Sequence, residues 1–185
     1  LHGLNASGPA PNSISLDYFK QQNLNKIPAF GPLPVTVPGV VDGWVKLHQR
    51  FGNQEFKSLF EPTIAYAREG FPVTETIAYY LDISKDRYIN YPNFSDVWLE
   101  NGATPKKGDI FKNPQLAETL EIIAEKGRSG FYTGKVAKTM SDFVQSQGGF
   151  LSYEDLSEFH SEWVEPVSTN YRGYDIWELP PNGQG

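Results

Sequence analysis

An α+β chain, mainly helical and closing on a β-hairpin, is what these 185 residues predict. Three observations carry the prediction. Apolar residues recur at helical spacing from Pro38 to about His160. Those stretches are punctuated by start signals (Ser15, Thr74, Asn113-Pro114, Ser152) and glycine stops (Gly52, Gly70, Gly127). The spacing then becomes alternating near Val167, around a central Arg172-Gly173. The chain divides accordingly into a strand-and-loop lead-in over 1–37, a helical region over 38–160 and a hairpin over 161–185.

Residues 1–11 are short and rich in Gly, Asn, Ser and Pro, which predicts a brief strand turning into a loop. Ser15 caps a short helix. Val35, Thr36 and Val37 are β-branched and predict an extended strand. Pro38 ends that run and Gly39 lets the backbone turn. Val40, Trp44, Leu47 and Phe51 then share one face of an amphipathic helix, which is expected to pack inward. Asp42 stands in its first turn, where the helix dipole favours an anion.

Pro62 would cost about 3 kcal/mol inside a helix, so residues 56–69 are split in two, with Pro62 opening the second piece. Gly70 stops it. Thr74 caps the next helix, whose expected inner stripe is Ile77, Tyr80, Leu81 and Ser84. Residues 88–98 read as an aromatic loop with one short helix, and 101–112 as a polar connection. Asn113-Pro114 opens a helix with Leu116, Leu120, Ile123 and Ala124 inside and Glu118, Glu121 and Glu125 solvated. Another runs from Gly134 through Val136, Met140, Phe143 and Val144. Ser152 and Asp155 form a capping box for a short one. Strands at 167–171 and 174–179 complete the hairpin.

The net charge of −6 argues against nucleic acid as a partner, since a phosphate backbone calls for a basic surface. No apolar run approaches the ~20 residues of a membrane span. The absence of cysteine excludes disulfides and thiol chemistry without fixing a compartment. The first residue is not Met, and both ends read as interior sequence, so a fragment is expected.

Chemistry is sparse. His2, His48 and His160 have no partners at ligand spacing, and no metal or cofactor is expected. His48 reads as a half-buried structural residue. Asn5-Ala6-Ser7 is a glycosylation triplet of a kind that chance produces often. No nucleophile elbow or Ser/His/Asp set stands out. Carboxylates are numerous enough to furnish a glycosidase-like pair, a reading with no further support.

Several stretches, taken together, resemble the γ-glutamyltranspeptidase family. They are Thr36-Val37-Pro38-Gly39 leading to Gly43 and Phe51-Gly52; 65–73, with Ala67 and Gly70-Phe71; Lys107-Gly108-Asp109; Asn113-Pro114-Gln115-Leu116-Ala117; 123–127; Phe131-Tyr132-Thr133-Gly134; Gly148-Gly149; Glu154-Asp155-Leu156; Tyr171-Arg172-Gly173-Tyr174; and Leu179-Pro180-Pro181. Each is weak alone, and their colinear order over nearly the whole chain carries the resemblance.

The resemblance implies an N-terminal nucleophile hydrolase with an αββα core, made as a precursor that cuts itself. The Thr so exposed attacks a γ-glutamyl amide, with its own α-amine as base. The matching region is the interior of the large subunit. The nucleophile is therefore expected beyond Gly185, and no catalytic residue within this chain. The implied partners are a small γ-glutamyl or related amide and the remaining large- and small-subunit segments of the same precursor.

One binding position carries over. Strict transpeptidases have an Arg four residues before the proline of an R-E-x-A-P segment, and it pairs with the substrate's α-carboxylate. The matching stretch here is Ser7-Gly8-Pro9-Ala10-Pro11, which puts the neutral Ser7 at that substrate-binding position. This suits the family's transpeptidase-like or acylase-like branch, while a plain turn is the competing reading of the same residues. Pro180 to Gly185 matches the family's P-P-x-S-S-G-G-like corner and reads as a turn. The alternative for the whole chain is a helical interaction or structural domain without activity.

Overall fold

The computed structural model describes residues 1–183. They form two compact units: one of Leu1–Phe56 with the chain from Glu125 onward, the other of Lys57–Ala124.

The first unit opens with β1 (Gly3–Asn5). Helix α1 (Leu16–Gln21) begins where Ser15 Oγ accepts the Tyr18 N–H at 3.3 Å. The strand expected at Val35–Val37 does not form. Pro34 and Pro38 bracket that run, and Pro9 beside it also lacks an N–H, so no ladder can grow. One bond remains, from Val37 N–H to the Pro9 carbonyl at 3.0 Å. Helix α2 (Val40–Phe51) has the expected bounds but the opposite orientation. Val41 and Asp42 are 2% and 1% exposed, whereas Trp44 and Phe51 are 41% and 50% exposed. The inner face meets chain too close for a large side chain: a Cβ on Gly43 would sit 2.8 Å from the Ala6 Cβ. The apolar stripe therefore turns outward.

The second unit starts with a 3₁₀ turn, Lys57–Phe60, that runs directly into α3 (Glu61–Glu69), with Pro62 in its first turn. Gly70 stops α3 at φ +100°. The two-residue β2 (Phe71–Pro72) follows. Helix α4 (Glu75–Tyr88) is capped by Thr74 Oγ1, which accepts the Ile77 N–H at 3.3 Å. Its expected inner stripe is not buried: Ile77 and Tyr80 are exposed. They line an open groove of about 530 Å³ with Phe94 and Trp98 of α5 (Phe94–Trp98). Strand β3 (Ile110–Phe111) pairs antiparallel with β2, inside what reads as a polar connection. Helix α6 (Pro114–Lys126) starts where Asn113 Oδ1 accepts the Leu116 N–H at 2.9 Å. It buries Ala117, Leu120 and Ile123 and leaves Leu116 exposed. Glu121, on the face expected to be solvated, bonds Arg68 at 2.6 Å, an exposed pair.

The first unit resumes with α7 (Arg128–Tyr132), α8 (Gly134–Ser146) and α9 (Tyr153–Glu158). Helix α8 buries Ala137 and Ser141, while Phe143 points outward. The capping box of α9 is complete in both directions. Val37, Val41, Tyr132, Ala137, Leu151 and Leu156 form the core of this unit. Strand β4 (Glu162–Val164) returns to β1, with Gly3 opposite Val164 and Asn5 opposite Glu162. Strands β5 (Val167–Tyr171) and β6 (Tyr174–Glu178) form the hairpin, ending one residue short of the expected Leu179. Arg172 and Gly173 lie at φ +53° and +86°, the left-handed pair that a type I′ turn demands. Every residue of both strands is exposed, and among the described residues the hairpin pairs with no third strand. Pro181 and Asn182 form a turn, while Gln184 and Gly185 of the same corner lie outside the described residues.

Candidate functional site

Ser7 sits on a short segment that is pinned at three places. At its start, Asn5 Oδ1 accepts the Ser7 N–H and the Asn182 side-chain N–H, each at 3.0 Å. The same two bonds occupy the oxygen of the glycosylation triplet's Asn. In the middle, the backbone of residues 6–9 lies against that of 37–39. A Cβ on Gly8 would collide with the Val37 carbonyl, and one on Gly39 with the Ala6 carbonyl. This is why the Val-Pro-Gly stretch needs its glycine. At the far end, the Asn12 N–H donates to Asp155 Oδ1 at 2.9 Å. Asp155 Oδ2 takes the Ser152 N–H at 2.9 Å and its hydroxyl at 2.8 Å. Burial pushes the Asp155 carboxyl up, but these donors outweigh it and hold it below its ordinary range.

So held, Ser7 is exposed. It opens onto a cleft of about 600 Å³ lined also by Asn5, Glu158, His160, Glu162 and Asn182. No Lys or Arg is among the described lining residues.

Behind one wall of the cleft lies a buried polar network centred on Asp42. Oδ1 accepts Arg128 Nε at 2.9 Å. Oδ2 accepts the Ser161 N–H at 2.7 Å and, more closely, the Ser161 hydroxyl. Arg128 Nη2 also donates to the Ser157 carbonyl at 3.0 Å and to the Phe159 carbonyl. Lys46 Nζ donates to the Ser161 carbonyl. The Asp42 N–H donates to the Tyr132 hydroxyl at 3.2 Å, which itself donates to the Pro38 carbonyl at 2.7 Å. Burial pushes the Asp42 carboxyl up. The Ser161 bonds, and the Lys46 and Arg128 charges, outweigh that and hold it below the ordinary carboxylate range. Burial, chiefly, raises the Tyr132 phenol to about 12. Every buried side-chain polar atom among the described residues has a partner, so the network is complete.

Of these residues the sequence singles out only Ser7 as a site residue. It gives Asp42 a dipole role in the first turn of α2, not the hub of a network reaching 119 positions to Ser161. The available signal is slight: a carboxylate flanked by Val41 and Gly43, on the side of α2 away from its apolar stripe. His160 reads only as a histidine without ligand partners. Its Nδ1 lies 4.0 Å from Asp42 Oδ1, and its side chain is 61% exposed in the cleft lining. His48 is half-buried, as its position suggests. Among the described residues no cluster of three or more His, Cys, Asp or Glu side chains could hold a metal, and no helix is long and apolar enough to cross a membrane.

The same arrangement of elements occurs in known proteins. A cephalosporin acylase from Bacillus halodurans superposes with a TM-score of 0.95 at 40% identity, over all of this chain and 36% of that one. Helicobacter pylori gamma-glutamyltranspeptidase gives 0.91 at 29% identity, over 97% of this chain and 53% of that one. The fold is thus of the α+β acylase and transpeptidase class. In sequence, the chain is 34% identical to the glutathione hydrolase-like YwrD proenzyme of Bacillus subtilis, over 98% of its own length and 34% of the relative's. The pattern defining the gamma-glutamyltranspeptidase family matches residues 1–185. The chain belongs to the gamma-glutamyltranspeptidase family, and its relatives by sequence and structure include glutathione hydrolases and an acylase. It spans about a third of the length of these curated relatives.

Proposed function

We propose that residues 1–185 are an interior stretch of the large subunit of an N-terminal nucleophile amidohydrolase or acyltransferase with an αββα core, acting on γ-glutamyl or related amides. The observation that carries this is the family match over the whole chain. The nucleophile, a Thr freed by self-cleavage of the precursor, lies outside this chain. Its hydroxyl adds to the substrate carbonyl, its α-amine takes the hydroxyl proton and passes it to the substrate's amide nitrogen, and the C–N bond breaks to release that amine and leave an acyl ester on the Thr. Water or a second amine then accepts the acyl group. Other large- and small-subunit segments cover the outward stripe of α2 and supply strands beside β5 and β6.

This chain's own contribution is the Ser7 cleft, which binds substrate. Ser7 offers a neutral hydroxyl where a strict transpeptidase has a guanidinium, so a free α-carboxylate is poorly held. Hydrolysis of a γ-glutamyl anilide is accordingly weak, and Ser7→Arg lowers its KM. The experiment is expression of the full-length precursor, intact-mass analysis and an assay with γ-glutamyl and other acyl anilides. A Thr-initiated fragment together with anilide turnover supports the reading. A precursor that stays whole and inert overturns it. The 185-residue chain alone is inactive and does not process itself.

A further inference from the structure

His160 stands between two buried neighbours whose backbones are both fastened. Phe159 presents its carbonyl to Arg128, and Ser161 gives its N–H and hydroxyl to Asp42 and its carbonyl to Lys46. Phe159 and Ser161 are 7% and 1% exposed, while the imidazole between them is open to the cleft. Asp42 Oδ1 lies behind it, 4.0 Å from its Nδ1. The cations behind the wall, Arg128 and Lys46, are engaged by Asp42 and by backbone carbonyls. In front, the lining offers the Ser7 hydroxyl, the Asn182 carboxamide, the imidazole and the carboxylates of Glu158 and Glu162.

We infer that His160 is a substrate-contacting residue, that Asp42 and Arg128 position it, and that this cleft selects amides whose acyl end is neutral or cationic over those ending in a free carboxylate. The inference rests on the Ser7 cleft being a substrate site. A carboxylate entering it meets two like charges and no guanidinium or ammonium among the described lining residues. A carboxamide meets groups that can both donate and accept. Because residues 159 and 161 are fixed, the imidazole is presented with little backbone freedom left to lose on binding, the condition for selective contact. Asp42 reaches substrate only through Ser161 and His160, so it is a positioning residue.

The test uses the full-length protein and two anilides that differ at one group: the γ-glutamyl anilide and its α-carboxamide counterpart. The native protein should prefer the carboxamide by about tenfold in kcat/KM. His160→Leu, which removes the donor and acceptor offered to the carboxamide, should reduce that preference, with the loss falling mainly on KM. Glu158→Gln with Glu162→Gln, which removes the like charges, should reduce it further, and Asp42→Asn should reduce it in part. Preference for the free acid, or a ratio unmoved by His160→Leu, overturns the inference. His160→Leu changes an exposed side chain, so it keeps the test open if Asp42→Asn fails to fold. Should neither anilide be cleaved and no Thr-initiated fragment appear, the proposed chemistry fails separately. The inference is then read from the His160 ring resonances. Shifts with glutaminamide but not with glutamate support it, and equal shifts, or none, overturn it.

Discussion

Helix α2 buries Val41, Asp42 and Gly43 and leaves Val40, Trp44, Leu47 and Phe51 open, whereas the β5–β6 hairpin buries none of its residues. Both elements have the periodicity their sequence announces. They differ in what the chain brings to them. The inner face of α2 meets Arg128 and Tyr132 of α7 and Ser161 just before β4, and every buried side-chain polar atom among the described residues is paired. Among the described residues the strands of the hairpin pair only with each other. Burial in this chain follows the partner available, not the hydropathy of the face. Here a carboxylate is more deeply buried than a tryptophan five atoms of backbone away.

The comparison breaks most visibly at Asp42. Asp42→Ala leaves Arg128 Nε and the Ser161 N–H and hydroxyl without their acceptor. It should cost about 3–5 kcal/mol, read from the urea unfolding of the purified chain. A loss under about 1 kcal/mol would show that water already satisfies these groups. The pH dependence has a definite sign. Asp42 and Asp155 both titrate below their ordinary range when folded. Their contribution is therefore complete above the unfolded value near 3.8 and is lost as pH falls through the lower folded values. Tyr132 acts at the other end: an acid raised from 10.0 to about 12 stabilises the fold below pH 10 and loses that contribution between the two values. Thermal melts from pH 2 to 12 should show a plateau with two falling limbs. Asp42→Asn should flatten the acid limb and Tyr132→Phe the alkaline one.

A second contrast lies between adjacent residues. Val41→Ala removes two buried carbons and should cost about 2 kcal/mol, whereas Val40→Ala, one position away, should change stability by less than about 0.5 kcal/mol. Equal losses would mean that the stripe of α2 is covered in solution. Ser152→Ala, which opens the capping box of α9, should cost about 1 kcal/mol.

Much of the fold was legible because it is local. Ser15, Thr74, Asn113 and Ser152 each cap the helix they announce, and Arg172-Gly173 makes its hairpin, since the reach involved is two or three residues. The brief strand expected within residues 1–11 forms as β1, but its partner β4 and the pair β2–β3 left no trace, because two- and three-residue strands have no period to read. The orientation of α2 was misread because periodicity identifies an apolar face without saying which way it points, whereas the stripe of α4 does face α5 across the groove but buries no residue fully. At the site, Ser7 was reachable only through resemblance to a family. The Asp42–Arg128–Ser161 network was not reachable, because a carboxylate in a first helical turn has a sufficient local explanation and its true partners lie 86 and 119 positions away.

A change read in association as well as in stability sharpens the contrast between the buried and open faces most directly. Trp44 lies on the outward stripe of α2, beside Leu47 and one turn from Val40. Trp44 is 41% exposed, so Trp44→Gln removes a side chain only partly buried, and the unfolding free energy should fall by less than the about 2 kcal/mol expected of Val41→Ala. The same change should alter association. A stripe of four exposed apolar residues and, among the described residues, the edges of β5 and β6 without a third strand present surfaces that water favours removing. Sedimentation of the purified chain should therefore show mass rising with concentration. Trp44→Gln should lower that rise, and adding Ile176→Lys on β6 should lower it further. Two results would count against this picture. A chain that stays monomeric at high concentration would show the exposed stripe to be too discontinuous to associate. A Trp44→Gln loss as large as that of Val41→Ala would place Trp44 inside the folded unit and remove the distinction between the two faces of α2.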